Sequence, residues 1–407
     1  MTTHPLPAVL FGAFDRHNFG DLLFPHVAAR LLAARGDRAV QMAGLAARDL
    51  RAQGGHRVTP LVQLRDAAFD LIHVGGEILS CDAWDAAVML QSPADAQRII
   101  ALQRHARLEW AQRVLGMRDL APYIASKRTV PGAAHVVFHA VGGVELDERP
   151  GALRDEVLAK LASADAVSVR DVHTQRLLAK SGIEARLAPD NALLVAELFG
   201  DTIREHAAHG AVARIREAAP RGYLAVQFNA TFGDDATLAR IAAQLDHVAD
   251  AHDLAVVFFR AGAAPWHDDL LCLQRTAARL RAPRVQMLDS LNIWDICALI
   301  AGSRAYLGSS LHGRIIAMAY ALPRVNLLHD QDFARPCKQL AFAETWEDAI
   351  PTGAFNATHA PAAVRVGEIA DGIDAALSVP SARLARLAAR LATLCRDAFQ
   401  TVVSVTG

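Results

Sequence analysis

The chain has 407 residues, a length that favours two domains over one or three. Hydrophobic residues make up 52% of it and charged residues 21%, so it can bury a substantial core and is not expected to be disordered. Its formal net charge of -1 gives no overall field that would attract nucleic acid or an anionic membrane. Any site for an anion must therefore be built locally, and mainly from arginine, because lysine is rare in this chain.

The cysteine pattern and the hydropathy exclude further classes of protein. The five cysteines are scattered and never spaced as CxxC, so neither a disulfide framework nor a structural zinc site is expected. No window of about 18 uninterrupted apolar residues occurs, which predicts no membrane-spanning helix. Residues 7–14 fit a first buried strand better than a signal peptide, so we expect a cytoplasmic protein.

The first half of the chain alternates apolar strands with amphipathic helices. Residues 7–14 predict a strand and 20–36 the helix that follows it, with Gly36 placed to end that helix. The next predicted elements are strands 70–75, 135–142 and 165–169 and helices 152–162 and 172–181. This alternation predicts a parallel sheet covered by helices.

The same alternation resumes after a polar, alanine-rich stretch at 200–220. The predicted elements are strand 223–228, helix 235–252, strand 254–260, helix 268–281, strand 284–288, helix 292–302, strand 305–309, helix 312–321 and strand 324–328. We therefore predict one α/β domain at 1–215 and a second at 216–380. Residues 381–407 predict a closing helix that packs back on the first domain.

The turn between the first predicted strand and its helix carries polar residues, at 15–21. Asn18 or Asp21 can cap the helix, and Gly20 allows a ligand to approach the backbone. Ligands of open α/β sheets bind beyond the carboxyl ends of the strands. The turn is therefore either a capped helix start and nothing more, or a surface that presents Asn18 and Asp21 to sugar hydroxyls or phosphate.

A second turn, at 308–314, joins a strand to an apolar helix. Ser309 and Ser310 are typical N-caps, and His312 then lies in the first helical turn, near the positive end of the helix dipole. That environment disfavours the imidazolium unless an anion binds nearby, and Arg314 is close enough in sequence to assist such binding. The alternative is a buried polar cap in which His312 bonds a backbone carbonyl.

Three shorter features also follow predicted strands. Gly75 and Gly76, before Glu77, would let a ligand approach the backbone, although glycine pairs also end strands routinely. Arg170 lies at a strand end before a helix, where spacing alone favours a solvated arginine beside a capping Asp171 over a ligand-binding role. Asp190 is likewise typical of a turn or cap.

Several familiar signatures are absent. No GxGxxG follows the first strand, and the GxxxxG of 308–313 lacks the Lys-Ser/Thr of a phosphate-binding loop. His135 and His139 share a strand without a carboxylate or cysteine partner, which favours a core or turn role over zinc. The Asp pairs at 234–235 and 268–269 fall at helix starts, where capping explains them.

Taken in order along the chain, these pieces resemble the polysaccharide pyruvyl transferase family. The His312 block is the most specific piece, and the resemblance spans roughly residues 10 to 325. The matching segments are Asn18-Phe19-Gly20-Asp21, Gly75-Gly76, Ser168-Val169-Arg170-Asp171 with Leu177-Leu178, Pro189-Asp190, Trp294–Ile300, Ser310–Ala317 and Pro323.

The resemblance implies an α/β fold of two Rossmann-like domains, similar to the GT-B glycosyltransferases, with the active site in the interdomain cleft. Characterised members transfer a pyruvyl group from phosphoenolpyruvate to a sugar, giving a pyruvate ketal and phosphate. The partners it implies are phosphoenolpyruvate and a sugar or glycan-precursor acceptor, with neither metal nor organic cofactor. Peripheral contact with a lipid-linked glycan is compatible with this reaction.

The resemblance also implies roles for individual residues. His312 is the acid, and the donor-binding residues are Arg170, Ser309, Ser310 and Arg314. The residues assigned to the acceptor or the cleft are Asn18, Gly20, Asp21, Gly75, Gly76, Glu77 and Asp190. Many members carry Arg immediately before the Leu-His pair, where this chain has Ser310, so a cation is missing where the donor should bind.

Our leading hypothesis is a pyruvyl transferase that modifies a sugar of a polysaccharide or glycoconjugate precursor. A glycosyltransferase of the GT-B type is the closest competitor, with the diphosphate of a nucleotide-sugar bound at the same helix. A catalytically lapsed binding or scaffold protein is the third, motivated by Ser310.

Overall fold

The computed structural model describes residues 5–64, 68–102, 105–347 and 360–407. The chain forms two compact units. Unit 1 runs to Asn191 and includes Thr393–Gly407, whereas unit 2 comprises Ala192–Ala392. Each unit has its own parallel sheet and its own hydrophobic core, which confirms the predicted α/β fold class with two parallel-sheet domains.

The sheet of unit 1 has eight strands in the order β3-β4-β2-β1-β5-β6-β7-β8. The strands are β1 Ala8–Phe11, β2 Val40–Gly44, β3 Arg48–Asp49, β4 Arg57–Pro60, β5 Phe69–His73, β6 Ala133–Val141, β7 Ala166–Val169 and β8 Arg186–Leu187. All neighbours pair in parallel except β3 and β4. Every residue of β1 and β5 is buried, as expected of strands covered on both faces.

Helices connect and cover these strands. The α-helices are α1 Phe19–Ala33, α2 Ala83–Met89, α3 Pro93–Leu102, α4 Arg107–Leu115, α5 Gly151–Ala162 and α6 Val172–Lys180. Left-handed glycines end α4 and follow α6, where Gly116 and Gly182 have positive φ. The first predicted helix ends earlier than expected, at Ala33 rather than residue 36.

The sheet of unit 2 has six parallel strands in the order β11-β10-β9-β12-β13-β14. They are β9 Tyr223–Gln227, β10 Ala255–Phe259, β11 Val285–Leu288, β12 Ala305–Gly308, β13 Arg324–Leu327 and β14 Ala363–Val364. The helices are α7 Val195–Ala208, α8 Gly210–Ala218, α9 Asp235–His252, α10 Leu270–Ala277, α11 Ile293–Ala301, α12 Leu311–Ala319, α13 Lys338–Trp346, α14 Ile369–Leu377 and α15 Ser381–Thr406.

The two units divide at Asn191 and Ala192, earlier in the chain than the boundary predicted at residue 215. The reason is that α7 and α8 pack against α11, and α8 also contacts β11, so both helices belong to the second core. Helix α15 contributes residues to both units, because the division falls between Ala392 and Thr393. Within the described ranges, no helix is both long enough and apolar enough to cross a lipid bilayer.

Candidate active site

The predicted residues of unit 1 collect at one edge of its sheet. Strands β1, β5, β6 and β7 are consecutive neighbours, so the turns that follow them meet at their carboxyl ends. These turns carry Asn18–Asp21 after β1, Gly75–Glu77 after β5 and Arg170 after β7. The strand order therefore brings these three turns to one edge of the sheet, and the roles assigned to their residues stay predictions.

Helix α1 begins with the predicted cap. Asn18 has extended backbone angles, and its Oδ1 accepts a hydrogen bond from the Gly20 N–H at 3.2 Å. Asp21 does not cap the helix. Its carboxylate lies in the first turn, 4.0 Å from the guanidinium of Arg16.

Gly75 and Gly76 fold over the side of α1. Both have positive φ, at 109° and 87°, which L side chains rarely adopt. A Cβ on Gly75 would lie 3.0 Å from the ring of Phe24, and one on Gly76 would lie 3.5 Å from an oxygen of Asp21. The glycine pair therefore permits close packing of the strand end against the helix.

Arg170 lies in a buried ion network. Its side chain is 1% exposed, and it donates to Glu77 Oε2 at 2.5 Å and to Asp190 Oδ2 at 3.3 Å. The other oxygen of Glu77 accepts from the Val144 N–H at 2.8 Å. Burial works against the charged guanidinium, but Glu77 and Asp190 raise the pKa of Arg170 above its ordinary value. One cation is thus paired with two carboxylates.

A second buried network, around Asp15, follows β1. Asp15 accepts hydrogen bonds from the N–H groups of Leu45 and Ala46 and from the hydroxyl of Tyr123, at 2.6, 3.2 and 2.7 Å. Arg16 donates to the same Tyr123 hydroxyl at 2.8 Å. Burial raises the pKa of Asp15 despite these donors. The sequence analysis did not select Asp15 or Arg16, because Tyr123 lies far away in sequence.

In unit 2, Gln227 organises the turn that contains the two serines. The Gln227 side-chain oxygen accepts from the Ser310 N–H at 2.9 Å. The hydroxyl of Ser309 accepts from the Asn229 N–H at 3.0 Å, and the Ser309 carbonyl accepts from the Gln339 amide at 2.7 Å. Since β9 and β12 are neighbours, these contacts fix the turn at the carboxyl edge of the second sheet.

His312 is the second residue of α12 and is 7% exposed. Ser310 is the N-cap, as predicted, and its hydroxyl accepts from the Gly313 N–H at 3.2 Å. Gly313 packs directly on Tyr306, because a Cβ there would lie 2.3 Å from the Tyr306 hydroxyl. The structure thus places the predicted acid in the first turn of a buried, capped helix.

Arg314, which was expected to assist anion binding at this turn, is bonded to other groups of unit 2. Its Nε donates to Glu347 at 2.6 Å, and its NH1 donates to the Ala362 carbonyl at 2.7 Å. The side chain is 3% exposed. The charge of Arg314 is thus paired with the carboxylate of Glu347.

The aspartate pair before α10 divides into two roles. Asp269 caps the helix, as the sequence indicated. Asp268 instead accepts hydrogen bonds from the N–H groups of Ala261 and Gly262, at 2.5 and 3.3 Å, and from the Gln227 amide at 2.6 Å. Burial raises the pKa of Asp268 to about 7, although these three donors favour the carboxylate. Such a perturbed group at a strand-end edge is a candidate site residue.

Two further side chains of this edge were missed by the sequence analysis. Arg260 directly follows β10, and its charge lowers the pKa of Asp268 against the effect of burial. His329 follows β13, bonds the Thr231 hydroxyl at 2.7 Å and stacks on Phe232 with ring centroids 3.8 Å apart. Arg260 ended a predicted strand and His329 followed one, and only the strand order brings them to the sheet edge that carries the His312 turn.

The described residues contain no group of three or more His, Cys, Asp or Glu placed to hold a metal ion. His139 is buried and bonds Asn191 and Ser168, which agrees with the core role predicted for it. His135 is only half-buried and bonds the carboxylate of Asp70 at 2.7 Å, so the expectation that it has no carboxylate partner was wrong. Acid–base and cationic side chains thus lie at the strand ends of both parallel sheets, which is where α/β proteins bind their ligands.

The family can now be stated. The sequence model of the polysaccharide pyruvyl transferases matches residues 18–331, which contain the turns described above. The chain therefore belongs to the polysaccharide pyruvyl transferase family and is a transferase. No curated protein sequence matches it.

Solved structures agree with the fold. A UDP-GlcNAc 2-epimerase from Methanocaldococcus jannaschii superimposes with a TM-score of 0.51 at 10% identity, covering 92% of each chain. The N-terminal domain of the Candida albicans trehalose-6-phosphate phosphatase gives 0.50 at 11% identity, covering 100% of this chain and 98% of the other. At this identity the similarity concerns the GT-B-like fold alone.

Proposed function

We propose that this protein transfers a pyruvyl group from phosphoenolpyruvate to a sugar of a polysaccharide or glycoconjugate precursor. The products are a pyruvate ketal and phosphate. The observation that carries the proposal is His312, held in the first turn of α12 within the segment that matches the family. The cytoplasmic location of this reaction stays a prediction.

The chemistry requires one proton donor and a site for two anionic groups. Transfer of a proton from His312 to C3 of phosphoenolpyruvate makes C2 electrophilic. One sugar hydroxyl adds to C2, phosphate leaves from C2, and a second hydroxyl of the same sugar closes the ketal. Of the two hydroxyl protons, one restores His312 and the other leaves with the phosphate.

Arg260 is the cation that we assign to the donor. Ser310 supplies no charge, and the guanidinium of Arg314 is bonded to Glu347. Arg260 follows β10 at the same sheet edge and acts on Asp268, which in turn is bonded to Gln227. The hydroxyls of Ser309 and Ser310 are used by backbone N–H groups, so their contribution is to hold the α12 N-terminus towards an anion.

The residues of unit 1 have two roles in this proposal. Asn18, Gly20 and Asp21, with Gly75 and Gly76, form the surface for the sugar acceptor. The buried network of Glu77, Arg170 and Asp190 holds that surface in shape rather than binding the donor anion. This assignment follows from the 1% exposure of Arg170 and its two carboxylate partners.

Phosphate release from phosphoenolpyruvate, measured with and without a panel of sugar acceptors, tests the proposal. We expect acceptor-dependent release by the intact chain and a loss of about 10²–10⁴-fold in His312→Ala, with an unchanged circular-dichroism spectrum. His247→Ala is the matched control, because His247 is exposed on α9, away from the strand ends.

Nucleotide-sugars provide the competing outcome. A true donor raises the thermal midpoint by binding the folded state, so phosphoenolpyruvate should do so and nucleotide-sugars should not. Stabilisation by nucleotide-sugars alone, with no phosphate released, would establish a glycosyltransferase instead. Binding without turnover of either donor would establish a lapsed enzyme.

A further inference from the structure

A cavity lies in unit 2, where strands β13 and β14 begin. Its volume is about 450 Å³, which is within the usual range for small-ligand sites. Pro323 precedes β13 and Ala360 and Pro361 precede β14, so the cavity opens near the amino ends of these strands. The described residues that line it are Arg314, Pro323, Arg324, Glu347, Ala360, Pro361, Ala376, Val379, Arg383, Leu384, Arg386, Leu387 and Arg390.

The inner wall carries a buried charge that is not balanced. Arg314 and Arg324, 3% and 5% exposed, share the single carboxylate of Glu347, each at 2.6 Å. Arg324 also donates to the Leu322 carbonyl, but its buried Nε has no hydrogen-bond partner within the described chain. Burying an unneutralised cation is costly unless an anion compensates it.

The electrostatics of the inner wall agree with this count. Burial lowers the pKa of Arg324, and Arg314 adds to the effect in spite of Glu347. Burial alone would raise the pKa of Glu347, but the two guanidinium groups lower it below its ordinary value. The carboxylate is therefore ionised, and the described residues of the inner wall keep one positive charge in excess.

The outer wall adds three further arginines from one face of α15. Arg383, Arg386 and Arg390 are three and four residues apart, the spacing that aligns side chains along one side of a helix. Arg386 and Arg390 are exposed and form no ion pair within the described chain. Among the described lining residues there are thus five guanidinium groups and one carboxylate, with Val379, Leu384 and Leu387 as apolar surface between them.

From this arrangement we infer a binding site for a ligand that carries two or more phosphate charges, such as a diphosphate. Guanidinium groups bind phosphate oxygens in pairs of charge-assisted hydrogen bonds, and two tiers of arginine suit two phosphates. The apolar residues would contact an uncharged part of the ligand. Of the turn at 308–314 only Arg314 lines the cavity, whereas His312, Ser309 and Ser310 do not.

Calorimetric titration of the full chain with pyrophosphate, at constant ionic strength, tests the inference. The cavity variant is Arg386→Ala/Arg390→Ala, which removes two exposed charges and leaves the buried Arg314, Arg324 and Glu347 in place. The matched control is Arg214→Ala/Arg240→Ala, which removes two exposed arginines of unit 2 that do not line the cavity. We expect binding at least about tenfold weaker in the cavity variant and unchanged in the control.

Two additional variants separate this site from the proposed donor site and from general charge effects. His312→Ala should retain pyrophosphate binding, whereas loss of binding in this variant would place the ligand at the α12 turn. Glu347→Gln should bind more tightly, because it removes the one opposing charge. Equal weakening in the cavity and control variants would overturn the inference.

The source of the phosphate is resolved by a vesicle experiment. Phosphatidylcholine vesicles with and without phosphatidylglycerol would be sedimented with the intact chain and both double variants. Binding that requires both phosphatidylglycerol and the α15 arginines identifies a lipid headgroup as the source. Pyrophosphate binding without vesicle binding identifies a soluble ligand, and the absence of both overturns the inference.

Discussion

The two strand-end edges are held together by different forces. At the edge of unit 1, buried charges neutralise one another, with Arg170 between Glu77 and Asp190. At the edge of unit 2, hydrogen bonds between neutral groups hold the turn instead. For example, the Gln227 side-chain oxygen accepts from the Ser310 N–H. The charged groups of the second edge, Arg260 and Asp268, lie beside this neutral framework rather than within it.

From this difference we propose that the first edge positions the substrate and the second edge carries the chemistry. A guanidinium already balanced by two carboxylates has little capacity to attract a further anion, so the first edge is suited to hold a rigid polar surface. Neutral groups at the second edge fix the backbone without cancelling charge there. An anion at the α12 N-terminus would therefore meet the helix dipole without a neutralising ion pair in the framework of the turn.

The largest expected effect comes from removing the central cation of unit 1. Arg170→Met leaves the carboxylates of Glu77 and Asp190 buried without it, which should cost about 3–5 kcal/mol of unfolding free energy. Denaturant titration followed by circular dichroism measures this loss. Arg98→Met is the control, because the Arg98–Asp95 pair is exposed and should contribute less than about 1 kcal/mol.

The same variant distinguishes the two roles considered for Arg170. If Arg170 holds the fold, Arg170→Met should lose much of its stability. Its Michaelis constant for phosphoenolpyruvate should nevertheless equal that of the wild type when the assay is run well below the melting temperature of the variant. A stable Arg170→Met with a strongly raised Michaelis constant would instead show that Arg170 binds the donor.

Acidification should affect the two edges in opposite directions. Burial lowers the pKa of His139 to about 4 and raises the pKa of Asp268 to about 7. For His139 the unfolded chain binds more protons between pH 6.5 and 4, so its contribution to stability falls as the pH falls. For Asp268 the folded chain binds more protons between pH 7 and 3.8, so its contribution grows as the pH falls.

Each contribution can change by up to about 1.4 kcal/mol per pH unit. Unfolding free energies of the wild type, His139→Gln and Asp268→Asn, measured from pH 7.5 to 5, isolate the two groups by difference. We expect His139→Gln to flatten the decline and Asp268→Asn to steepen it. Parallel curves for all three proteins would mean that neither group titrates in this range.

The central strands could be predicted because strands that are buried on both faces consist of continuous runs of apolar residues. The segments of β1, β5, β9 and β10 are buried at every residue. The edge strands β3, β8 and β14 were not predicted, since each has only two residues, and β2 mixes exposed and buried positions. Such strands depend on pairing with a neighbour rather than on their own pattern.

The contacts of the candidate site residues could likewise be predicted only where both partners are close in the sequence. The caps at Asn18 and Ser310 could be predicted, because a cap is a local interaction between near neighbours in sequence. The roles of Arg314 and Asp268 could not, because they depend on Glu347 and Gln227, which are distant in the sequence. The position of His312 at the positive end of a helix dipole could be predicted from the local sequence pattern. The side chains near His312 could not, because the order of the strands brings them there.

The smallest effect concerns Ser310, where stability and donor binding can be separated. Ser310→Ala removes the cap of α12 and should cost about 1 kcal/mol of unfolding free energy. Ser310→Asp keeps a capping oxygen and should restore that stability, but it places a negative charge where the donor anion is proposed to bind. The Michaelis constant for phosphoenolpyruvate should therefore rise further in Ser310→Asp than in Ser310→Ala, although the aspartate variant is the more stable of the two. If both variants instead follow stability alone, the anion does not bind at this helix, and the neutral character of the second edge has no bearing on the donor.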